Sequence, residues 1–498
     1  MWRVKSVDAI LATAEQKSLH RSLGATQLTL LGVGAVIGTG IFVLTSEAAQ
    51  KAGPAMMISF IIAALVCGVA ALCYAELSAM VPVAGSAYTY TYAVMGELLA
   101  WLVGWALVLE YAVAASAVAV GWSGYVVGLL EHALGLRLSE AFVTGPYAGG
   151  LINVPAVLIT GAITVLLMFG TRESARINAL LVAVKVVALT AFIVLSVPVM
   201  RAQNFHPFAP MGSAGVVGAA ASIFFAYIGF DAVSTAAEET RDPQRNLPIG
   251  LVGSLLICTI FYLLVAAGAI GAYGAAPMLD LSGRALPPGS EAMAQACQSA
   301  AQGRLPLVCS HEALAHVLRS IGHSRIGNLL GLAAGLALPS VILMLMFGQS
   351  RIFFAMARDG LLPDGLARIH PRFKTPYVIT GLTGLVVALA AAFLPVGALA
   401  NISNSGTLFA FTTVAAAVLF LRRTDPGRRR PFSTPAVGLI APLAIVGCVS
   451  LFLALPTAAK LVFPAWSALG LVVYGLYGVR RSHLARTHNK SEYAWRDE

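Results

Sequence analysis

Long apolar stretches recur along the whole chain, and no other feature limits its fold as strongly. A helix needs about 20 residues to cross the hydrocarbon core of a bilayer, and twelve segments have roughly that length. They are 28–49, 56–80, 98–130, 154–170, 177–199, 214–237, 247–272, 326–357, 377–394, 399–421, 436–455 and 462–479. Only 11% of the residues are charged, against about 25% in soluble proteins. The sequence therefore predicts an all-α integral membrane protein with twelve transmembrane helices, and it excludes a soluble enzyme, a disordered protein and a secreted disulfide scaffold.

The distribution of Lys and Arg predicts how these spans are oriented. With the N-terminus inside, the cytoplasmic segments carry 23 of the 32 Lys and Arg residues and the outer segments eight, while Lys185 lies within a span. Cytoplasmic loops of membrane proteins carry such an excess, and an even number of spans places both termini on that side. We therefore expect a multi-pass protein of the bacterial inner membrane. The formal charge of +10 then suits an anionic bilayer surface rather than a nucleic acid.

Three regions follow from this topology. Residues 1–27 form a cytoplasmic N-terminal segment, residues 28–479 the transmembrane domain, and residues 480–498 a cytoplasmic tail. No nucleophile–base pair or phosphate-binding loop stands out, so we expect no enzyme activity.

The longest outer loop, 273–325, contains Cys297 and Cys309. Because the bacterial periplasm is oxidising, we expect these two residues to form a disulfide; two free thiols in a flexible loop are the alternative. No cysteine–histidine spacing is typical of a metal site, and we expect neither a metal nor a cofactor.

The first span is rich in glycine, with four in nine residues and the highest density at 38–40. The sixth span has a similar centre at 225–231. These are the first spans of two sets of five, which is where an inverted repeat has its broken helices. Repeat one would then cover about 28–199 and repeat two about 214–421, with two extra helices at 436–479. Close helix packing through small residues is the alternative explanation.

A helix broken at mid-membrane has a chemical use. The second half-helix begins with free N–H groups, which suit a carboxylate, and the first ends in free carbonyls, which suit an ammonium. An α-amino acid zwitterion satisfies both. The predicted substrate-binding residues at the two breaks are Val36, Gly38, Thr39, Gly40, Phe225, Ala226 and Ile228.

The sequence around these breaks resembles the amino acid–polyamine–organocation superfamily, and within it the bacterial branch of the cationic amino acid transporter family. The matching motifs are at 32–42, 104–113, 224–231 with 238–245, and 348–363. The resemblance implies the five-plus-five inverted-repeat transporter fold, with two additional helices.

Two ionisable residues lie deep in predicted spans. Lys185 is flanked by apolar sequence on both sides, and such a residue is a functional candidate because burying its charge is costly. Proton-coupled members of the superfamily that this chain resembles carry a lysine in span five. The resemblance therefore implies that Lys185 gains and loses a proton, and that it bonds carbonyls near Gly34. Glu110 in span three would pair with Lys185 or meet a cationic substrate; a structural carboxylate is the alternative. For Asp231, capping of the second half-helix is as good an interpretation as transport.

The resemblance also implies that Leu338 in span eight lines the pocket for the substrate side chain. Leucine offers no hydrogen bond to a guanidinium, whose burial without a partner is costly. We therefore expect small or modest apolar amino acids to fit better than arginine, although Glu110 would favour a cation if it faced the pocket. Pro339 lies next to Leu338, and a bend there would shift the alignment.

Together these features predict a secondary transporter of L-amino acids, coupled to a proton by alternating access. An exchanger of amino acids or amines on the same fold is one alternative. A sensor that binds an amino acid without moving it is another. The oligomeric state and the substrate side chain are left open.

Overall fold

The computed structural model describes residues 23–83, 85–170, 175–300, 305–363, 365–366, 368–373 and 375–482. Over these residues the fold is all helical, without a β-strand, and two isolated bridges pair Leu23 with Thr240 and Leu279 with Ala285. The predicted all-α class is confirmed. Most of the predicted N-terminal segment and nearly all of the C-terminal tail lie outside the described residues.

The α-helices are numbered in chain order. They are α1 Ala25–Val36, α2 Thr39–Phe42, α3 Leu44–Ala52, α4 Met56–Met80, α5 Ser86–Val94, α6 Glu97–Leu134, α7 Glu140–Val143, α8 Val154–Phe169, α9 Ala175–Ser196, α10 Gly212–Ile223, α11 Ala232–Thr235, α12 Pro243–Tyr273, α13 Glu291–Ala300, α14 Ala313–Ser320, α15 Ser324–Arg358, α16 Tyr377–Phe393, α17 Val396–Thr424, α18 Val437–Ala454, α19 Thr457–Val473 and α20 Val479–Arg481. Short 3₁₀ helices lie at Gly53–Ala55, Pro146–Ala148, Val197–Val199, Ala202–Phe205, Phe224–Tyr227, Ala237–Glu239 and Leu307–Cys309, and a π-helical turn lies at Tyr474–Gly478.

Within the described ranges, eight helical segments are long and apolar enough to cross a membrane. They are Leu44–Met80, Glu97–Leu134, Ile177–Val199, Pro243–Tyr273, Ser324–Arg358, Val396–Thr424, Val437–Ala454 and Thr457–Arg481. Four shorter apolar helices are Ala25–Val36, Val154–Phe169, Gly212–Tyr227 and Tyr377–Phe393. Each predicted span overlaps one of these segments, and Leu44–Met80 also includes the end of the first span.

Helices also form in segments that were predicted to be connections between spans. Helix α5 lies between the second and third spans, and α13 and α14 lie in the outer loop. Helix α14 buries Leu314, Val317 and Leu318, an amphipathic pattern too short to register as a span. The last span begins at Thr457, earlier than its predicted start at 462, directly after Pro456.

Helix α6 is the central element of the bundle. It packs most extensively against α15 and α17, while α12 packs against α1 and α4. The peripheral α19 is attached to α6 by reciprocal hydrogen bonds: the Trp105 indole donates to the Trp466 carbonyl at 2.8 Å, and the Trp466 indole to the Trp105 carbonyl at 2.7 Å. The first half of the first span, α1, is thus packed along α12.

Candidate functional site

The first span is interrupted at the predicted glycines. Helix α1 ends at Val36, Ile37 is extended (φ −72°, ψ 92°), and Gly38 has φ −143° and ψ −149° before α2 begins at Thr39. A second irregularity at Val43 separates α2 from α3. The break follows from local sequence, because glycine is a weak helix former that gives up backbone freedom to enter a helix.

The sixth span is interrupted at the corresponding point. Helix α10 tightens into the 3₁₀ helix Phe224–Tyr227, and Ile228 is extended with ψ 139°. Gly229 then adopts φ +111°, a conformation that side-chain-bearing residues rarely tolerate. A Cβ atom on Gly229 would lie 3.0 Å from the Ala35 carbonyl oxygen, so this turn packs directly on the end of α1.

The two breaks contact each other through their backbones. A Cβ atom on Gly40 would lie 2.2 Å from the Cα of Ala226, so the sixth span occupies the space that glycine leaves. Gly40 was expected to leave room for a ligand, whereas its immediate neighbour in the structure is Ala226. The Tyr262 hydroxyl on α12 lies between the breaks, 2.7 Å from the Val36 carbonyl oxygen and 2.9 Å from that of Ala226.

Lys185 reaches the same end of α1. Its side chain is buried, with 1% exposure, and Nζ donates a hydrogen bond to the Gly34 carbonyl oxygen at 2.8 Å. The contact expected near Gly34 is therefore present. Val182, one turn earlier on α9, packs against Gly34, where a Cβ atom would lie 2.6 Å from a Val182 methyl.

Glu110 does not join this contact. It is fully buried on α6, and no ion pair with Lys185 exists among the described residues. Within the same part of the chain, its carboxylate oxygens have no hydrogen-bond partner. The neighbouring Tyr111 hydroxyl donates to Asp231 Oδ2 at 2.9 Å. Asp231 precedes α11 without capping it through its side chain, so the capping interpretation is not realised.

Helix α15 lies over the first break. Leu338 is fully buried, and the methyls of Val341, one turn further, lie 3.6 Å from where a Gly38 Cβ atom would be. Thr39 points elsewhere, toward α6, where a Cβ atom on Gly121 would lie 2.5 Å from its methyl. The structure thus brings Val36, Gly38, Gly40 and Ala226 together with α15, and turns Thr39 away from them.

A polar cluster that was not predicted from the sequence joins α3, α10 and α17. Lys51 Nζ on α3 lies 2.7 Å from Glu47 Oε1 and contacts the Ser222 hydroxyl on α10. Ser222 donates to Asn401 Oδ1 on α17 at 2.7 Å, and Asn401 Nδ2 donates to Glu47 Oε1 at 3.3 Å. The spacing of Glu47 and Lys51, four residues apart on one helix, was the available signal.

The outer loop is fixed to the same half-helix. Gln50 Nε2 donates to the carbonyls of Met278 and Leu286 at 2.8 and 2.9 Å, and the Met278 N–H donates to Gln50 Oε1 at 2.8 Å. Cys297 and Cys309 are joined by a disulfide with Cα atoms 5.5 Å apart. No group of metal-ligating side chains occurs in the part of the chain that the structure describes.

Comparison with known proteins agrees with this architecture. The family described as "Amino acid permease" matches residues 23–476. The chain is 44% identical to the branched-chain amino acid permease BcaP of Bacillus subtilis and 39% identical to the methylthioribose transporter of the same organism, in each case over 97% of this chain and 99% of the relative. It is 35% identical to the vacuolar cationic amino acid transporter 4 of Arabidopsis thaliana, over 85% of this chain and 67% of the relative. The resemblance expected from the motifs is confirmed.

Proposed function

This chain belongs to the amino acid permease family, and from that premise we propose that it is a secondary transporter of a neutral L-amino acid coupled to a proton. The contact between the two helix breaks, where Gly40 lies against Ala226, carries the proposal. Carbonyls at the ends of the first half-helices lie beside the start of α2, so acceptors for an ammonium and donors for a carboxylate lie close together.

The substrate side chain is apolar in this proposal. Leu338 and Val341 are buried on α15, and Phe225 and Ile228 at the sixth-span break are also buried. The relative named for branched-chain amino acids supports this class. The relative named for methylthioribose is nearly as similar, so an assay should include that compound.

Proton coupling would act through Lys185. A protonated Lys185 would donate a strong, charge-assisted hydrogen bond to the Gly34 carbonyl oxygen, which lies 2.8 Å from Nζ. A neutral Lys185 would be a weaker donor in the same apolar surroundings. Gain or loss of the proton would therefore change how tightly α9 holds α1. Glu110 is a second candidate because it is a buried carboxyl close to Tyr111 and Asp231.

We further propose the membrane arrangement. All twelve predicted spans would cross the bacterial inner membrane as one transport domain, residues 28–479, in two inverted repeats of five plus two helices. Both termini would be cytoplasmic. The breaks in the first and sixth spans, at equivalent positions in the two sets of five, support this arrangement.

Purified protein in liposomes tests the function. An imposed inward proton gradient should drive accumulation of labelled leucine or alanine, whereas an exchanger would need amino acid inside, and a sensor would bind without uptake. Lys185→Ala should abolish gradient-driven accumulation. Lys460→Ala, which removes a lysine on α19 that bonds only the Leu453 carbonyl among the described residues, is the matched control and should accumulate substrate normally. Wild-type accumulation by Lys185→Ala would refute the proton role.

A further inference from the structure

We propose that Tyr262 is a positioning residue that holds the two helix breaks in register through the carbonyls of Val36 and Ala226, and thereby sets substrate affinity. This inference rests on the proposed function, because it assigns a role at the same site. The hydroxyl oxygen is 2.7 Å from one carbonyl oxygen and 2.9 Å from the other. Those carbonyls belong to different spans, 190 positions apart in the sequence by their residue numbers.

Both carbonyls need a partner from outside their own helix. The carbonyls of the last turn of a helix have no intrahelical N–H partner, because the chain leaves the helix before the fourth residue further on. Leaving them unpaired in an apolar interior is costly. Val36 is the last residue of α1, and the chain is extended directly after it. Ala226 is followed two residues later by the extended Ile228. Tyr262 supplies the shared partner for both.

The ring of Tyr262 is held so that its hydroxyl is accurately placed. Its side chain is fully buried, and its ring packs against Phe60 at 5.9 Å and Tyr227 at 5.3 Å between centroids. Helix α12 also packs along α1 and α4. A phenol fixed in this way transmits the position of α12 to both breaks.

One hydroxyl hydrogen serves two acceptors. The hydroxyl can donate fully to only one carbonyl at a time, so a further donor at the junction improves the pairing of both oxygens. The α-ammonium of an amino acid has three N–H donors and would supply it. Without the hydroxyl, two carbonyl dipoles of like sign would face each other and separate, which would also displace the N–H groups at the start of α2.

The test compares Tyr262→Phe with Tyr227→Phe. The first removes the bridging hydroxyl and keeps the ring. The second removes a similarly buried hydroxyl of the same aromatic cluster, which donates to the Phe60 carbonyl and to neither Val36 nor Ala226. We expect Tyr262→Phe to raise the KM for leucine uptake about tenfold, with the maximum rate within about twofold of wild type and the pH profile of uptake unchanged. Tyr227→Phe should keep the wild-type KM.

A second measurement does not depend on how much of the variant protein folds. The rise in melting temperature that saturating leucine induces in detergent reports on the folded fraction alone, and it should be smaller in Tyr262→Phe than in Tyr227→Phe. An unchanged KM together with an unchanged ligand-induced rise in Tyr262→Phe would overturn the inference. Failure of the wild-type protein to take up amino acids would instead overturn the proposed function, so the two failures are distinguishable.

Discussion

The indole Nε1 of Trp122 on α6 donates a hydrogen bond of 2.8 Å to the carbonyl oxygen of Gly335 on α15. Gly335 lies four residues before Pro339, which has no N–H and cannot make that helical bond. Trp122 therefore supplies the donor that Pro339 removes. Helix α15 continues from Ser324 to Arg358 without interruption. The helical register is therefore the same before and after Pro339.

Because α15 is continuous, Leu338 and Val341 share one face over the first break. We expect alanine, valine and leucine to compete with labelled alanine in wild type, and arginine to compete poorly, because burying a guanidinium without a partner is costly. Leu338→Ser should improve arginine competition at least tenfold. Leu336→Ser, which changes a leucine that is 60% exposed on the same helix, is the control and should leave the order of competitors unchanged. Strong arginine competition in the wild type, unaltered by Leu338→Ser, would contradict the assignment.

Gly40→Ala should separate the two breaks. The new methyl would need the space of the Ala226 backbone, 2.2 Å from its Cα, and backbone cannot move aside as a flexible side chain does. We expect a lower melting temperature in detergent and at least tenfold weaker substrate binding. Gly68→Ala, where nothing lies within 4 Å of the added Cβ atom, should be neutral or slightly stabilising. A Gly40→Ala protein with wild-type melting and binding would show that the breaks do not need this contact.

Loss of the outer-loop disulfide should loosen the loop that Gln50 holds. The two cysteines are 12 residues apart, and closing a loop of that length is worth about 3 kcal/mol in the chain-entropy treatment. We expect the Cys297→Ser/Cys309→Ser variant to be cleaved faster by protease within the loop. Intact-mass measurement of the wild type should find two more alkylated thiols after reduction than before. The four buried free cysteines, Cys67, Cys73, Cys258 and Cys448, are unchanged in the variant and control for general accessibility. Alkylation of both loop cysteines without reductant would contradict the bond.

Glu312 in the outer loop should make stability depend on pH. Burial raises the pKa of Glu312 to about 7, against the opposing effect of Arg319 and with a smaller contribution from Glu131 in the same direction. A carboxyl whose pKa is higher folded than unfolded binds more protons when folded, so it stabilises the fold at low pH. That stabilisation is complete below the ordinary carboxyl pKa of about 4.3 and is lost as the pH rises through about 7.

Melting temperatures at pH values from 5 to 8 test this assignment. The wild type should lose more stability across that range than Glu312→Gln, which cannot ionise. Glu291→Gln, at an exposed position of the same loop, should follow the wild type. Parallel curves for the wild type and Glu312→Gln would mean that this carboxyl does not titrate in the range.

The spans and the first break could be predicted because their causes are local. An apolar run and a cluster of glycines act within one helix, and α1 indeed ends two residues before Gly38. The bond from Lys185 to the Gly34 carbonyl was also expected, because the resemblance to proton-coupled transporters implied it. Tyr262 gave no signal, because it is one aromatic residue in an apolar run and its two acceptors are brought to it by tertiary packing. For the same reason neither the surroundings of Glu110 nor the bond from Tyr111 to Asp231 could be predicted, since both depend on how the helices are rotated about their axes.

The last turn of α1 has a mechanical consequence. Its consecutive carbonyls at Gly34, Ala35 and Val36 face Lys185 of the fifth span, Gly229 of the sixth and Tyr262 of the seventh. Peptide groups within one helical turn are nearly rigid relative to each other, so a rotation that shortens one of these contacts changes the other two. We therefore expect a displacement of any one of these three spans to change the contacts that the other two make with α1. The coupling free energy between any two of these contacts is the same in both directions.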